Sequence, residues 1–392
     1  MSDAQDRIST LSTRPPHRSA RWGAAFLLSG ASLLTLPRAF PAQAAPLRGQ
    51  GQSVNGAVNG PLLVLDQQGR PDQGDLTGAA ILSVQDGRVS RVLARGLTVP
   101  FPPGLAPSPR GRYVAFSQDV TAAPGAPQQT NGLWLTTNAG RSTHRVLLPP
   151  ASPNRNTLAI GAIAWSPDRY TLAYAVNLTG DAPVLAQPER NIGLWLTPYD
   201  APHPHLTVTS AQLGALAGPL GACGTPWQIT RLSWAQEGRM LAVSVLCLAP
   251  SGRTPSKALN KVILSVDVVT GQIRRLVTNA QDAALAPRAA LLAYVSGDIK
   301  GSALWLADAQ GQHAYKLVTL HGALSSPAWS PDGHTIAYIE GPLFTGGGPT
   351  TIHTVDVATG RTQGVLVSNA SGQTLLPAGG QFIRLAWMHA YV

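Results

Sequence analysis

Few groups in this chain of 392 residues could do chemistry: 19 acidic residues, nine histidines and two cysteines. His203-Pro204-His205 brings two imidazoles together, but with a proline between them and no third donor nearby it is not the ligand set a zinc site needs. Asp168 and Asp332 each follow Ser-Pro, a spacing in which the carboxylate bonds its own turn rather than a substrate. No Gly-x-Ser-x-Gly segment offers a nucleophile elbow and no Gly-x-Gly-x-x-Gly a phosphate cradle, while Gly346-Gly347-Gly348 falls in a loop, where flexibility explains it. The reading therefore expects no cofactor and no metal. Cys223 and Cys247 are an even pair, and in an exported chain such a pair is expected to form a disulfide. Cys223 precedes one strand of a hairpin and Cys247 ends the other, so both belong at one rim.

The elements that must position these groups are short strands. Trp329-Ser330-Pro331-Asp332-Gly333-His334-Thr335-Ile336-Ala337-Tyr338-Ile339 reads as a hairpin: a strand ending in Trp, a turn, then an alternating strand. Proline presets the turn dihedral, Asp caps the turn and Gly accepts a positive φ. Worn copies recur at Ser108-Pro109-Arg110-Gly111, at Trp165-Ser166-Pro167-Asp168, at Trp234-Ala235-Gln236-Glu237-Gly238 and at Ala286-Pro287-Arg288. Between them lie outer hairpins such as 133–147, 194–208, 262–277, 304–318 and 352–367. One inner and one outer hairpin make a four-stranded antiparallel blade, and repetition of blades makes a β-propeller. The N-terminal strands at 62–65, 79–84 and 88–93 lack a Trp-bearing inner strand, and Arg384-Leu385-Ala386-Trp387-Met388 has nothing after it. Joined, they complete a sixth blade and hide its edge. The expected fold is all-β, a six-bladed propeller closed by pairing of N- and C-terminal strands.

At these residues the chain resembles the WD-like repeats of the TolB-type six-bladed propeller family, whose signature is an aromatic residue, Ser-Pro-Asp-Gly, then an apolar strand with Ala-Tyr or Ala-Phe. The resemblance covers 61–392, with departures: Arg169 stands for Gly in the Trp165 copy, Ala235-Gln236-Glu237 for Ser-Pro-Asp in the Trp234 copy, and Ala289 for Gly in the Ala286 copy. Trp134, Trp165, Trp195, Trp234, Trp305, Trp329 and Trp387 occupy equivalent repeat positions and are expected to pack between blades rather than to bind sugar or cofactor.

Composition sets the remaining bounds. Residues 1–45 read as an export signal: Arg14, Arg18 and Arg21, an apolar run over 22–36, then Ala42-Gln43-Ala44 as a small-x-small cleavage site. That apolar run is shorter than the roughly 20 residues a spanning helix needs, so cleavage is expected rather than anchoring. Residues 46–60 read as a flexible linker and 61–392 as the propeller domain. The net charge of +10 comes almost wholly from arginine, which suits peripheral contact with anionic surfaces, yet no basic run interleaved with aromatics marks a nucleic-acid interface.

Long loops at 119–131, 177–191, 209–227, 248–261 and 341–350 gather on one face, where binding residues belong. Arg190, Trp227, Arg253, Lys257, Lys261 and Phe344 are the candidate contacts. The functional expectation is an exported, monomeric, non-catalytic propeller, periplasmic, envelope-bound or extracellular, that binds a protein, peptide or envelope polymer. The alternative is a lactonase-like or glycan-acting hydrolase with carboxylates or histidines converging on the central channel.

Overall fold

A computed structural model describes residues 59–70, 75–100, 102–119, 131–151, 158–178, 190–217, 227–248, 258–298, 300–341, 350–365 and 381–389. The expected signal, and the linker up to residue 58, lie outside these. Strand β1 (Asn59–Arg70) begins inside the last two residues assigned to the linker, and with β2 (Asp75–Gln85) and β3 (Arg88–Leu97) it supplies three strands of the first blade.

The second blade is β4 (Leu105–Pro107), β5 (Tyr113–Asp119), β6 (Asn131–Thr137) and β7 (Thr143–Leu147). The third is β8 (Leu158–Trp165), β9 (Thr171–Leu178), β10 (Gly193–Pro198) and β11 (His205–Thr209), followed by helix α1 (Ser210–Ala217). The fourth is β12 (Gln228–Trp234), β13 (Met240–Leu248), β14 (Ala258–Asp267) and β15 (Ile273–Thr278). The fifth is β16 (Ala280–Leu285), β17 (Leu291–Asp298), β18 (Gly301–Asp308) and β19 (Tyr315–Leu320). The sixth is β20 (Leu324–Trp329), β21 (Thr335–Glu340), β22 (Thr351–Asp356) and β23 (Thr362–Val365). The last strand, β24 (Gln381–His389), returns to the first blade, giving the order β24-β1-β2-β3 with Leu62 opposite Trp387 and Val64 opposite Leu385. Six four-stranded antiparallel sheets result, closed as the sequence led us to expect.

The repeated turn does what its residues dictate. Ser330 N–H donates to Thr335 O (2.8 Å) and Gly333 N–H to Ser330 O (2.9 Å), while Gly333 takes φ +77. His334 N–H and the Ser330 hydroxyl both donate to Asp332 Oδ1 (2.9 and 2.6 Å). Asp168 caps its own turn in the same way, accepting from Tyr170 N–H (2.8 Å) and Thr171 N–H (3.0 Å), and Arg169 adopts φ 75 where the full repeat has Gly.

Burial is organised by seams. Each of six clusters of buried side chains straddles two neighbouring blades, as Leu133 and Ile160 do between the second and third and Val245 and Leu194 between the third and fourth. The tryptophans fall into two sets rather than the one expected. Trp165, Trp234 and Trp329 end inner strands and Trp387 lies near the end of β24; the Trp234 and Trp329 indoles donate to Ala164 O (3.3 Å) and Ala284 O (2.9 Å) of the preceding blade. Trp134, Trp195 and Trp305 lie on third strands, opposite Phe116, Tyr174 and Tyr294. Tyr174 with Trp195 and Tyr294 with Trp305 stack within a blade, at 6.4 and 6.3 Å between rings.

Helix α1 was not foreseen within the 209–227 loop. Its start is a reciprocal cap: Thr209 N–H donates to Gln212 Oε1 (2.8 Å) and Gln212 N–H to Thr209 Oγ1 (3.2 Å).

Candidate functional site

Inner strands line the axis of a propeller. The residues paired as Trp329 with Ile336, Leu285 with Leu292, Trp234 with Leu241, Trp165 with Leu172, Pro107 with Val114 and Trp387 with Leu62 are equivalent around the ring. Three residues before each stands a second ring: Ser326, Asp282, Arg231, Ala162, Gly104 and Arg384. The ladders slip register at this level, between Ser325 and Ala328, Gln281 and Ala284, Ile229 and Arg231, and Ile160 and Ile163. Asp282 and Ser326 have φ near 53 and 55. Such bulges bend a strand and re-aim side chains: Asp282, Ser326 and Ala162 fall out of the ladder, while Arg231 and Arg384 stay paired, with Ser244 and Leu65. On the second and third blades the backbones meet so closely that a Cβ on Gly104 would fall 2.3 Å from Gly161 O.

The four polar members meet across the channel. Arg384, on the first blade, donates from Nε to Pro103 O (3.1 Å) and from Nη2 to Thr230 O (3.1 Å), and its Nη1 lies 3.8 Å from Asp282 Oδ1. Arg231, on the fourth, donates to Ser326 Oγ (3.1 Å) and Pro327 O (2.5 Å) on the sixth. Ser326 N–H donates to Asp282 Oδ2 (3.1 Å), and Leu385 N–H to Ser326 Oγ (2.9 Å). Burial first, and the charge of Arg384 second, push the Arg231 guanidinium down to about 9, so it stays protonated at neutral pH. Burial also lowers Arg384, although Asp282 opposes the shift. These side chains divide the channel into two chambers of about 170 Å³ each. The chamber on the side of the inner turns is bordered by Arg231, Arg384 and apolar walls, and the one on the side of the long loops by Asp282, Ser326 and Arg384.

The residues singled out from sequence fare differently. Arg190 is exposed in the turn before β10. Trp227 is not a surface contact: it is 6% exposed, buried with Leu213 and Ile229, and its indole lies so close to α1 that a Cβ on Gly214 would fall 2.9 Å from it. Lys261 is half-buried, donates from Nζ to Gly297 O (3.1 Å), and is lowered in pKa by burial. Arg253, Lys257, Phe344 and Cys223 lie outside the described residues, and Cys247 is fully buried in β13. A bridge between the two cysteines remains our proposal. Sequence reasoning missed Arg231 and Arg384, although each stands three residues before a tryptophan that carries the repeat. Among the described residues no group of three or more His, Cys, Asp and Glu could hold a metal ion.

No family model matches the chain. Over 81 residues it is 37% identical to the Tol-Pal system protein TolB of Albidiferax ferrireducens, a stretch that covers 21% of this chain and 18% of that protein. The TolB structure from Acinetobacter baumannii superposes with a TM-score of 0.50 at 11% identity, over 84% of this chain and 66% of that one. A chain of a nidogen/laminin complex also gives a TM-score of 0.50, at 10% identity, over 83% of this chain and 98% of that one. The chain thus spans about a fifth of the curated relative it matches, and the structural likeness speaks for the fold: it is a TolB-like six-bladed β-propeller.

Proposed function

We propose that this chain is an exported, non-catalytic propeller that binds a protein, peptide or envelope polymer through its long-loop face. The observation that carries the reading is where the carboxylates go. Asp168, Asp267, Asp308, Asp332 and Asp356 each accept backbone N–H groups of their own turns, such as Thr270 N–H on Asp267 and Thr359 N–H on Asp356. A hydrolase on this scaffold needs such acids to converge at the channel, where Asp282 is the one acid of the ring. The partial likeness to a Tol-Pal system protein is consistent with a binding role. The arginine-rich charge supports peripheral contact with anionic surfaces. Among the described residues no helix is long and apolar enough to cross a membrane.

The test is capture from envelope extracts by the chain starting at Ala45. Arg190→Glu combined with Arg253→Glu is expected to abolish capture without changing the melt. Undiminished capture would remove the loop face from the reading, and turnover of a lactone or oligosaccharide panel would replace binding by hydrolysis.

A further inference from the structure

The chamber on the inner-turn side of the channel carries a charge that its own walls do not balance. Arg231 and Arg384 both border it, while Asp282, which they share, borders the opposite chamber. Arg231 spends Nη1 and Nη2 on a serine hydroxyl and a backbone carbonyl, neither of them an anion. Buried Arg384 and half-buried Arg231 facing one carboxylate leave a unit of positive charge in excess, and a cation largely out of water is unfavourable until an anion joins it. The inner turns around the mouth carry Arg110, Arg169, Arg239 and Arg288 and also Asp168, Glu237 and Asp332, with Arg239 paired to Asp267 (2.7 Å), so the excess charge belongs to the two channel arginines rather than to the turns.

The remaining walls restrict the ligand. Ile163, Leu232, Leu285, Leu385 and Trp329 are apolar apart from an indole N–H given to Ala284 O, the Ser233 hydroxyl accepts from Leu285 N–H (2.8 Å), the Trp387 indole N–H is given to Gly60 O, and His389 stands at the mouth. A phosphate brings more charge than one excess cation balances, whereas a carboxylate brings one charge and two oxygens for the N–H groups that the two arginines have not given to Ser326, Pro327, Pro103 and Thr230. About 170 Å³ equals several waters at ~30 Å³ each, the bulk of a single amino-acid residue. We propose that the inner-turn chamber binds a carboxylate carried on an apolar, residue-sized body, its oxygens bonded to Arg231 and Arg384. The carrier is a free acid or the last residue of a peptide. The site uses none of the loop-face contacts, so it stands or falls apart from them.

The experiment titrates the whole mature chain with N-acetyl-leucine, its neutral amide, inorganic phosphate, and a short peptide ending in leucine with a free or amidated terminus. Binding heat and melting temperature are followed. The free acid is expected to bind saturably and raise the melting temperature, the amide and phosphate to do neither. Binding of the free-ended peptide identifies a chain terminus as the carrier, and its failure beside a binding acid identifies a small molecule. Arg231→Gln should weaken the acid at least tenfold, and Arg231→Lys, which keeps charge without the fork, should lose less. Amide or phosphate matching the acid, no saturable binding of any acid, or unchanged affinity in Arg231→Gln overturns the proposal. Should a variant fail to fold, the contrast of acid and amide on the wild-type chain decides.

Discussion

The seam between the third and fourth blades and the seam between the sixth and first are built differently. At the former, 19 buried residues form one cluster, and Asn177 inserts its amide between blades to give Nδ2–H to Ile229 O and take Ile229 N–H, both at 3.0 Å. At the latter, the cluster among the described residues has 11 members; Phe382 N–H donates to Thr350 Oγ1 (2.7 Å) and Leu385 N–H to Ser326 Oγ (2.9 Å) as buried ties, the further tie between Asn59 and Asp332 (2.7 Å) is partly exposed, and the Trp387 indole bonds Gly60 O within its own blade. A cleft of about 600 Å³ opens beside that tie, between Val84 of the first blade and Val365 of the sixth. Where the chain runs on from blade to blade, side-chain burial holds the seam. The two remote segments of the chain meet inside the first blade, where the β24-β1 backbone ladder joins them.

The largest effect expected from this contrast is that of removing the ladder. A chain ending at Gly380 leaves the inner edge of β1 unpaired and takes Arg384 out of the channel. Calorimetry should show the cooperative transition lost or lowered far beyond the ~2–4 °C that 1 kcal/mol produces in a domain of this size class. A melt within that margin of the intact chain would mean that the ring does not depend on its closing strand.

Next come the two tryptophans. Trp234→Ala empties a site 8% exposed and unpairs Ala164 O, so denaturant melts should lose about 3–5 kcal/mol. Trp387 is only half-buried and should lose about half as much on the same change. Equal losses would erase the distinction between the seams.

Asp66 sharpens it within the closing blade. It lies on β1 opposite Phe382 of β24, its Oδ1 is buried without a hydrogen-bond partner, and burial raises its pKa from 3.8 to about 6. The native state therefore holds this proton more tightly than the unfolded chain, so stability is full below about pH 4, falls as pH rises toward 6, and stays reduced above. About two pH units at 1.36 kcal/mol each cap the cost at ~3 kcal/mol. Asp66→Asn should stabilise the protein by up to that amount at pH 7.5 and leave the melt at pH 4 nearly unchanged. Equal gains at both pH values would show that packing, not ionisation, is responsible.

Much of this architecture was legible because turns speak locally. Ser-Pro-Asp-Gly names its own dihedrals, and Trp387 without a following hairpin announced that a blade was shared between the chain ends. The channel was less legible. Arg231 and Arg384 look like ordinary alternating residues of a strand, and only the registers of the inner strands, five of which carry a bulge, bring them face to face. Trp227 misled because an aromatic beside a long loop resembles a contact; the cue against it was the Thr209-x-x-Gln212 cap and Gly214, which let a helix settle on its ring. The loop-face residues Arg253, Lys257 and Phe344 have no repeat to fix their positions, so local chemistry could nominate them but not arrange them.

The closing strand also sets a timetable. The Trp387 indole and the Gly60 carbonyl it meets are 327 residues apart. At roughly 5–20 residues per second of synthesis, β1 waits about 15–65 s for its partner to be made. During that interval the first blade exists as three strands with a bare inner edge, and the channel lacks one of its two arginines. Premature completion of the ring is thus ruled out by chain order. The ring therefore stays open until Gln381–His389 has been made.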